Sequence, residues 1–347
     1  MSFTIAVLLG DGVGPEVAAA ARQVMEKAAH CHDISIAFCD YPFGGTAIDQ
    51  YGDPFPVATK EACVNADAVF LGAVGGPKWE GGKIRPEAGL LELRKKLGLF
   101  ANLRPTRLTS GLEHLSPLKL ERATGVDLLI VRELIGGLYF GARQEGSERA
   151  SDQCVYTRDE VARVARVAFE AARLRKGRVT SVDKANVLAT SRLWRAVVSQ
   201  LHETEYSDVA LDHMLVDAMA MKLIQAPADF DVILTENLFG DILSDEASVI
   251  SGSIGLAPSA SLGGGSVGLY EPIHGSAPDI AGMDKANPVG AIMSGAMLFR
   301  HSLGAEDAAL SIECAVEKAL ANGAGTADIN GADGCQSFTD KICALIE

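Results

Sequence analysis

Short apolar runs rich in β-branched residues alternate with amphipathic helical patterns through most of the chain, and that alternation restricts it to a largely parallel α/β architecture. Phe3–Leu9, Ile34–Asp40 and Ala68–Ala73 read as buried strands. Leu99–Leu108 reads as extended, and Val126–Glu133, Val179–Asp183, Val209–Leu211 and Val232–Leu234 as further short strands. A helix is predicted from about Glu87 to Leu97, and a longer one, capped by Asp159, runs to about Arg175 and stops near Gly177. The Gly- and Ser-rich stretch Ser251–Gly268 reads as a crossover loop, and from Asn287 onward the pattern is mostly helical.

A length of 347 residues, at roughly 150 residues per domain, predicts two domains. Hydrophobic residues make up 48% and charged residues 22%, so the chain can bury a large core and does not have the composition of a disordered one. The net charge of −14 argues against a nucleic-acid or anionic-membrane surface, which needs a basic stripe. It leaves room for anionic small molecules, because a local arginine cluster can oppose the global sign. The seven cysteines are odd in number, widely spaced and form no C-x-x-C, which predicts reduced thiols and a cytoplasmic protein. The longest uncharged stretch, Ala247–Tyr270, is full of Gly, Ser and Pro and does not read as a membrane span.

Gly10-Asp11-Gly12-Val13-Gly14-Pro15 follows a strand and opens a helix, as a dinucleotide fingerprint would, but its spacing is G-x-G-x-G and not G-x-G-x-x-G. That looser spacing favours a tight strand-to-helix turn with no cofactor role. Arg94 closes a helix that also carries Glu87 and Leu90, Arg104 precedes Pro105, and Arg132 ends a strand. Each alone reads as a surface ion pair, whereas three planar forks near element ends can converge on carboxylates.

Thr235-Glu236-Asn237-Leu238-Phe239-Gly240-Asp241-Ile242-Leu243-Ser244-Asp245 follows an apolar strand and puts Asp241 and Asp245 one turn apart on one helix face. Like charges at that spacing repel unless a hard divalent cation takes an oxygen from each; a solvated acidic helix start is the other reading. Asp217 offers a third carboxylate, and such a set suits Mg²⁺ or Mn²⁺, not zinc. Lys184 at the end of Val179–Asp183 is either a surface cation or, if desolvated, a usable base. Tyr139 in a glycine-flanked segment either packs as an aromatic anchor or donates a proton. His274-Gly275-Ser276-Ala277-Pro278-Asp279-Ile280 forms a second Gly/Ser loop whose N–H groups can face phosphates, with Asp279 able to accept from a ribose 2′-hydroxyl.

FLGAVGGPKW, RPEAGLLELRKKLGLFANLRP, VRELIGGLYFG, VDKANVL, HMLVDAMAM, TENLFGDILSDEAS, GSAPDIAG and ANP occur in this order along nearly the whole chain, after GDGVGPEV. Together they resemble the isocitrate/isopropylmalate family of β-decarboxylating dehydrogenases, and within it the isopropylmalate branch. The resemblance implies a two-lobed α/β/α fold that is not a Rossmann fold. It implies one lobe of residues 1–99 and 252–347 that binds the cofactor. The other, 100–251, would carry dimerisation and the metal and substrate residues. The implied reaction is NAD- and metal-dependent oxidative decarboxylation of 3-isopropylmalate to 4-methyl-2-oxopentanoate and CO₂, in leucine biosynthesis.

Residue by residue, the resemblance puts Arg94, Arg104 and Arg132 on substrate carboxylates and Leu90, Leu91 and Val187 around the isopropyl group. Asp217, Asp241 and Asp245 match metal ligands, with Asp217, which also contacts substrate, and Lys184 supplied by the second subunit of a homodimer. Lys184 matches the general base and Tyr139 the proton donor. Gly75, Gly76, Glu87, Asn186, His274, Gly275, Ser276, Ala277, Asp279, Ile280 and Asn287 match the cofactor-binding positions. The chain departs from the family pattern at Ile135, usually Thr, at Ala218, usually Asn, at Leu9, usually Pro, and in a shortened segment after Trp79. The first two remove hydrogen-bonding side chains, which bears on turnover and substrate preference and not on reaction class.

Overall fold

The computed structural model describes residues 2–109 and 111–347. These form two compact units, one of residues 2–99, 111–115 with Thr109, and 251–347, the other of 100–108 and 116–250. In the first unit five strands lie in the order Ser35–Tyr41, Ser2–Gly10, Ala68–Ala73, Leu269–Pro272 and Pro258–Gly263. The first four run parallel, and Pro258–Gly263 pairs antiparallel with Leu269–Pro272. The second unit orders Leu99–Arg107, Asp127–Glu133, Val232–Thr235, Arg178–Asp183 and Ala210–Leu215, all parallel except the first.

The helices form where an apolar face has a sheet to cover. Arg158–Arg173 buries Val161, Val164, Ala165, Ala168, Phe169 and Ala172, the three-and-four spacing of one helix face. Its N-terminus is capped by Thr157, which exchanges hydrogen bonds with Glu160, so Asp159 lies inside the first turn and is not the cap. Val289–His301 is buried on nearly every side, as an apolar helix inside a larger core should be.

Two expectations change in the folded chain. The supposed crossover loop Ser251–Gly268 contains the strand Pro258–Gly263, whose partner Leu269–Pro272 was too short and too close to a glycine run to read as a strand. The expected strand Val209–Leu211 overlaps a longer one, Ala210–Leu215, which the polar residues Asp212 and His213 disguise. The ladder decides the matter, because each residue from Ala210 to Leu215 pairs with one from Arg178 to Asp183.

The parallel strands of each unit end on the same edge. In the first unit that edge carries Gly10, Ala73 and Pro272; in the second it carries Glu133, Asp183, Leu215 and Thr235. Chemistry-bearing loops therefore gather beyond the carboxyl ends of the strands. Beneath them in the second unit lies a dry cluster that includes Leu128, Ile130, Val182, Met219, Ile233, Leu243 and Ala247. Ile233 is fully buried there, and Ile233→Ala is expected to lower unfolding free energy by about 2–5 kcal/mol in urea titration. A loss under 1 kcal/mol would contradict the close packing.

Candidate active site

In the second unit two arginines and two aspartates converge at the carboxyl ends of the strands. Arg132 ends Asp127–Glu133 and pairs with Asp241 on the helix Asn237–Ile250. Its Nε and Nη2 donate to Asn237 Oδ1 at 3.1 and 2.8 Å, which fixes the plane of the fork. Gly240 lets the helix come this close, since a Cβ there would stand 2.7 Å from Arg132 Cγ. Arg104 Nη1 donates to Ser244 Oγ at 2.6 Å and Asp245 Oδ1 at 3.1 Å, and Nη2 lies 3.6 Å from Asp241 Oδ1. Asn102 orients Arg104 by accepting from its Nε at 2.7 Å. The arginine side chains are 3% and 9% exposed, whereas Asp241 and Asp245 are 32% and 59% exposed. The guanidiniums are thus committed inward, and the carboxylates keep solvent-facing oxygen.

Tyr139 joins the cluster through its hydroxyl, which donates to Asp241 Oδ2 at 2.9 Å. Burial, and then the Asp241 carboxylate, push its pKa up, so the phenol holds its proton at neutral pH. Burial also raises the Asp245 carboxyl, with Arg104 opposing. The two aspartates offer hard oxygen donors one turn apart, a set suited to Mg²⁺ or Mn²⁺.

Lys184 and Asp217 form a separate pair, Nζ to Oδ1 at 2.9 Å, and that bond lowers the Asp217 carboxyl. Asp183, buried and held by Arg195 at 2.8 and 2.9 Å, accepts from Ala185 N–H and shapes the turn that carries Lys184, Asn186 and Val187. Asn186 and Val187 are exposed. Among the described residues Asp217 does not meet Asp241 and Asp245 closely enough to share an ion within one chain.

In the first unit, Arg94 Nη2 donates to Glu271 Oε1 at 2.9 Å, and its buried Nε has no partner among the described residues. An incoming carboxylate fits that open edge. Leu90 and Leu91 lie half-buried on the same helix, Pro86–Lys96. Glu87 approaches Gly75 closely, and Gly76 and Glu87 line a cavity with Trp79, Arg85 and Pro86. In the loop from His274 to Asn287, His274 Nδ1 contacts Gly275 O at 2.9 Å while its buried Nε2 has no partner among the described residues. Burial keeps this imidazole neutral, so Nε2 can serve a polar ligand. Ser276 is buried, Ala277 and Ile280 close a turn at 3.2 Å, and Asp279 is exposed. Asn287 is engaged otherwise: its side chain holds Asp328 and accepts from Val289 N–H.

Sequence reading missed the groups behind this site: Asn102, Asn237, Glu133, Tyr156, Glu236 and Glu271. Glu133 and Glu271 carry one signal, a polar residue near the end of an apolar strand; the others become visible only once the strands are placed. Glu133 accepts from Ile135 and Gly136 N–H at 3.1 and 2.9 Å and from Tyr156 hydroxyl at 3.3 Å, while Tyr156 accepts from Asn237 N–H at 3.0 Å. This network supports both Arg132 and the segment leading to Tyr139.

Burial pushes Glu133 up to about 7 against those donors, and burial with the nearby Glu133 charge pushes Glu236 to about 7. Both lie above their unfolded value of 4.5. The folded chain therefore binds extra protons between about pH 4.5 and 7, and their contribution to stability is lost as pH rises through that window. Urea unfolding at fixed protein concentration should show a decline across this range that Glu236→Gln flattens; an unchanged slope in the variant would refute the assignment.

A family model described as isocitrate/isopropylmalate dehydrogenase matches residues 4–342. A 3-isopropylmalate dehydrogenase from Oleidesulfovibrio alaskensis is 55% identical over 337 residues, 95% of this chain and 94% of that protein. One from Staphylococcus saprophyticus is 52% identical over 332 residues, 95% of this chain and 96% of that protein. Among solved structures, isocitrate dehydrogenase from Methylococcus capsulatus is similar with a TM-score of 0.89 and 34% identity, covering 100% of this chain and 99% of that one. A match of such length, over a fold that brings these arginines and aspartates together, places the chain in the isocitrate/isopropylmalate dehydrogenase family.

Proposed function

We propose that this protein oxidises 3-isopropylmalate with NAD⁺ and a divalent cation, Mg²⁺ or Mn²⁺, to 4-methyl-2-oxopentanoate and CO₂, the chemistry leucine biosynthesis requires. The carrying observation is the Asp241 carboxylate held between Arg132, Arg104 and the Tyr139 hydroxyl. It joins a cation-binding face, carboxylate-binding forks and a protonated acid in one cluster. Relatives named for 3-isopropylmalate resemble the chain more than the isocitrate enzyme does.

Asp241 and Asp245, with Asp217 of a second copy, would hold the cation, which would polarise the substrate hydroxyl, and NAD⁺ would serve as hydride acceptor. The rest falls to the chain's own groups. Arg94, Arg104 and Arg132 each offer a planar fork to a substrate carboxylate, and fixing its orientation is where much of the barrier reduction originates. Lys184 takes the hydroxyl proton. After CO₂ departs, Tyr139 gives its phenolic proton to the carbon left behind. Leu90 and Leu91 offer apolar surface to the isopropyl group, worth roughly 1.5–3 kcal/mol when fully buried, and leave a third carboxylate without a partner. The exposed Asp279 suits a ribose 2′-hydroxyl and opposes a 2′-phosphate, which favours NAD⁺ over NADP⁺. The unoccupied valence of His274 Nε2 supports a ligand on this loop.

A homodimer with shared sites completes the reading. Helices Val216–Gln225 and Asn237–Ile250 bury Met219, Leu223, Leu243 and Ala247 together and turn Met221, Ile224, Ile242 and Val249 outward, each at least 45% exposed. A second copy covering that face supplies Lys184 and Asp217 to the first copy's aspartates. We place the protein in the cytoplasm, in keeping with its seven free cysteines; among the described residues no helix is long and apolar enough to cross a membrane.

Purified protein should reduce NAD⁺ with 3-isopropylmalate and release CO₂, stop with EDTA, and recover with Mg²⁺ or Mn²⁺. Lys184→Met should lose activity at least a thousandfold with its circular dichroism unchanged. Preference for D-malate, tartrate or isocitrate in the same assay would overturn the substrate assignment. Met221→Glu with Val249→Glu should sediment as a monomer and lose turnover at least a hundredfold; an active monomer would refute the shared site.

A further inference from the structure

The segment Gly10–Glu16 has the look of a nucleotide loop, yet the structure gives its carboxylates other partners. Asp11 is 2% exposed. Its Oδ2 accepts from Gly45 N–H and Gly75 N–H, both at 2.9 Å, and its Oδ1 from Thr46 N–H at 2.9 Å and Thr46 Oγ1 at 3.1 Å. Its own N–H donates to Ala73 O at 2.9 Å. Asp11 thus bonds the segment 73–75 twice.

Two residues on, Val13 N–H donates to Ser276 O at 2.8 Å. Gly12, at φ +58°, permits this approach, because a Cβ there would lie 1.9 Å from the same oxygen. Glu16, in the first turn of Gly14–Cys31, accepts from Gly282 N–H and Ala286 N–H, each at 3.2 Å. One short segment therefore bonds two glycine-containing loops of the first unit, across separations of 64 residues for Gly75 and 266 for Gly282.

A carboxylate already surrounded by four donors has no lone pair left for a ribose, and its charge disfavours a nearby phosphate. The Asp11 carboxylate is therefore unsuited to bond a dinucleotide itself. Glu16 also sits within ligand distance of Asp284 and Cys335. Both Glu16 oxygens are, however, already taken by the Gly282 and Ala286 N–H groups, and Asp284 Oδ1 accepts from Gln336 N–H at 2.8 Å.

We infer that Asp11 and Glu16 are positioning residues for the dinucleotide: they set the conformation and mutual placement of the loops 73–76 and 274–287. The inference rests on the proposed binding of NAD⁺ by those loops. Glu16 is only partly buried, so Glu16→Gln keeps the fold while giving up one of two backbone acceptors. Asp11→Asn inserts an NH₂ donor among N–H donors and is the harsher change.

Calorimetric titration of the full-length protein with NAD⁺, with ADP-ribose and with 3-isopropylmalate plus Mg²⁺ tests this. Glu16→Gln should weaken NAD⁺ and ADP-ribose about tenfold alike and leave 3-isopropylmalate within twofold. Asp11→Asn, where circular dichroism shows it folded, should weaken NAD⁺ by at least as much; where it does not fold, Glu16→Gln alone decides. A folded Glu16→Gln that binds ADP-ribose within twofold of wild type overturns the inference, even if its melting temperature falls. A wild-type protein that binds neither NAD⁺ nor ADP-ribose overturns the cofactor reading instead.

Discussion

The pairing of buried guanidiniums with half-exposed carboxylates is the constraint on which the site depends. A guanidinium keeps its charge at any ordinary pH, so burying Arg132 and Arg104 demands an anion within reach. Asp241 and Asp245 supply it, and the asparagines at 102 and 237 fix the plane of each fork. The four charges cancel. On the proposed reading a dianionic substrate and a divalent cation also cancel, so the arginines exchange carboxylate partners and the aspartates take the cation with no net charge entering a half-buried site. Rearrangement of existing partners costs less than burial of new charge.

Rigidity behind the cluster has its own physical source. Asn237 links three groups at once: the Arg132 fork, the Gly136 carbonyl and, through its N–H, the Tyr156 hydroxyl. Glu133 holds the backbone entering the segment that carries Tyr139. The proposed acid Tyr139 and the carboxylate-binding fork of Arg132 need such support, because loops alone do not hold geometry to within tenths of an ångström. The cost is two carboxyl groups buried near each other, and burial pushes both up to about 7.

The first unit uses the same device with different chemistry. Its loops lie beyond parallel strand ends and contain glycines that supply no side-chain contacts of their own, so carboxylates at Asp11 and Glu16 tie them through backbone N–H groups. The glycine motif that looks like a nucleotide cradle is, in its bonds, a brace between two other loops. Loop composition alone does not distinguish the two, because both need positive φ and close backbone approach.

Much was legible before any coordinates. Alternating strand and helix patterns, read from local apolar periodicity, gave the α/β class, and many short motifs in collinear order gave the family. One-turn spacing put Asp241 and Asp245 on one face, because helix geometry is local. What local pattern could not supply was which distant residue each polar group would meet. Arg132 and Asp241 stand 109 positions apart, and Arg104 and Asp245 141, so only the strand order brings them together. The strand Pro258–Gly263 and the cap at Thr157 escaped for related reasons: one depends on a ladder partner, the other on side-chain geometry. Apolar periodicity is written in neighbouring residues and survives reading one stretch at a time. Charge pairing and burial depend on where the sheet places remote strand ends, and that is decided only when the chain has folded.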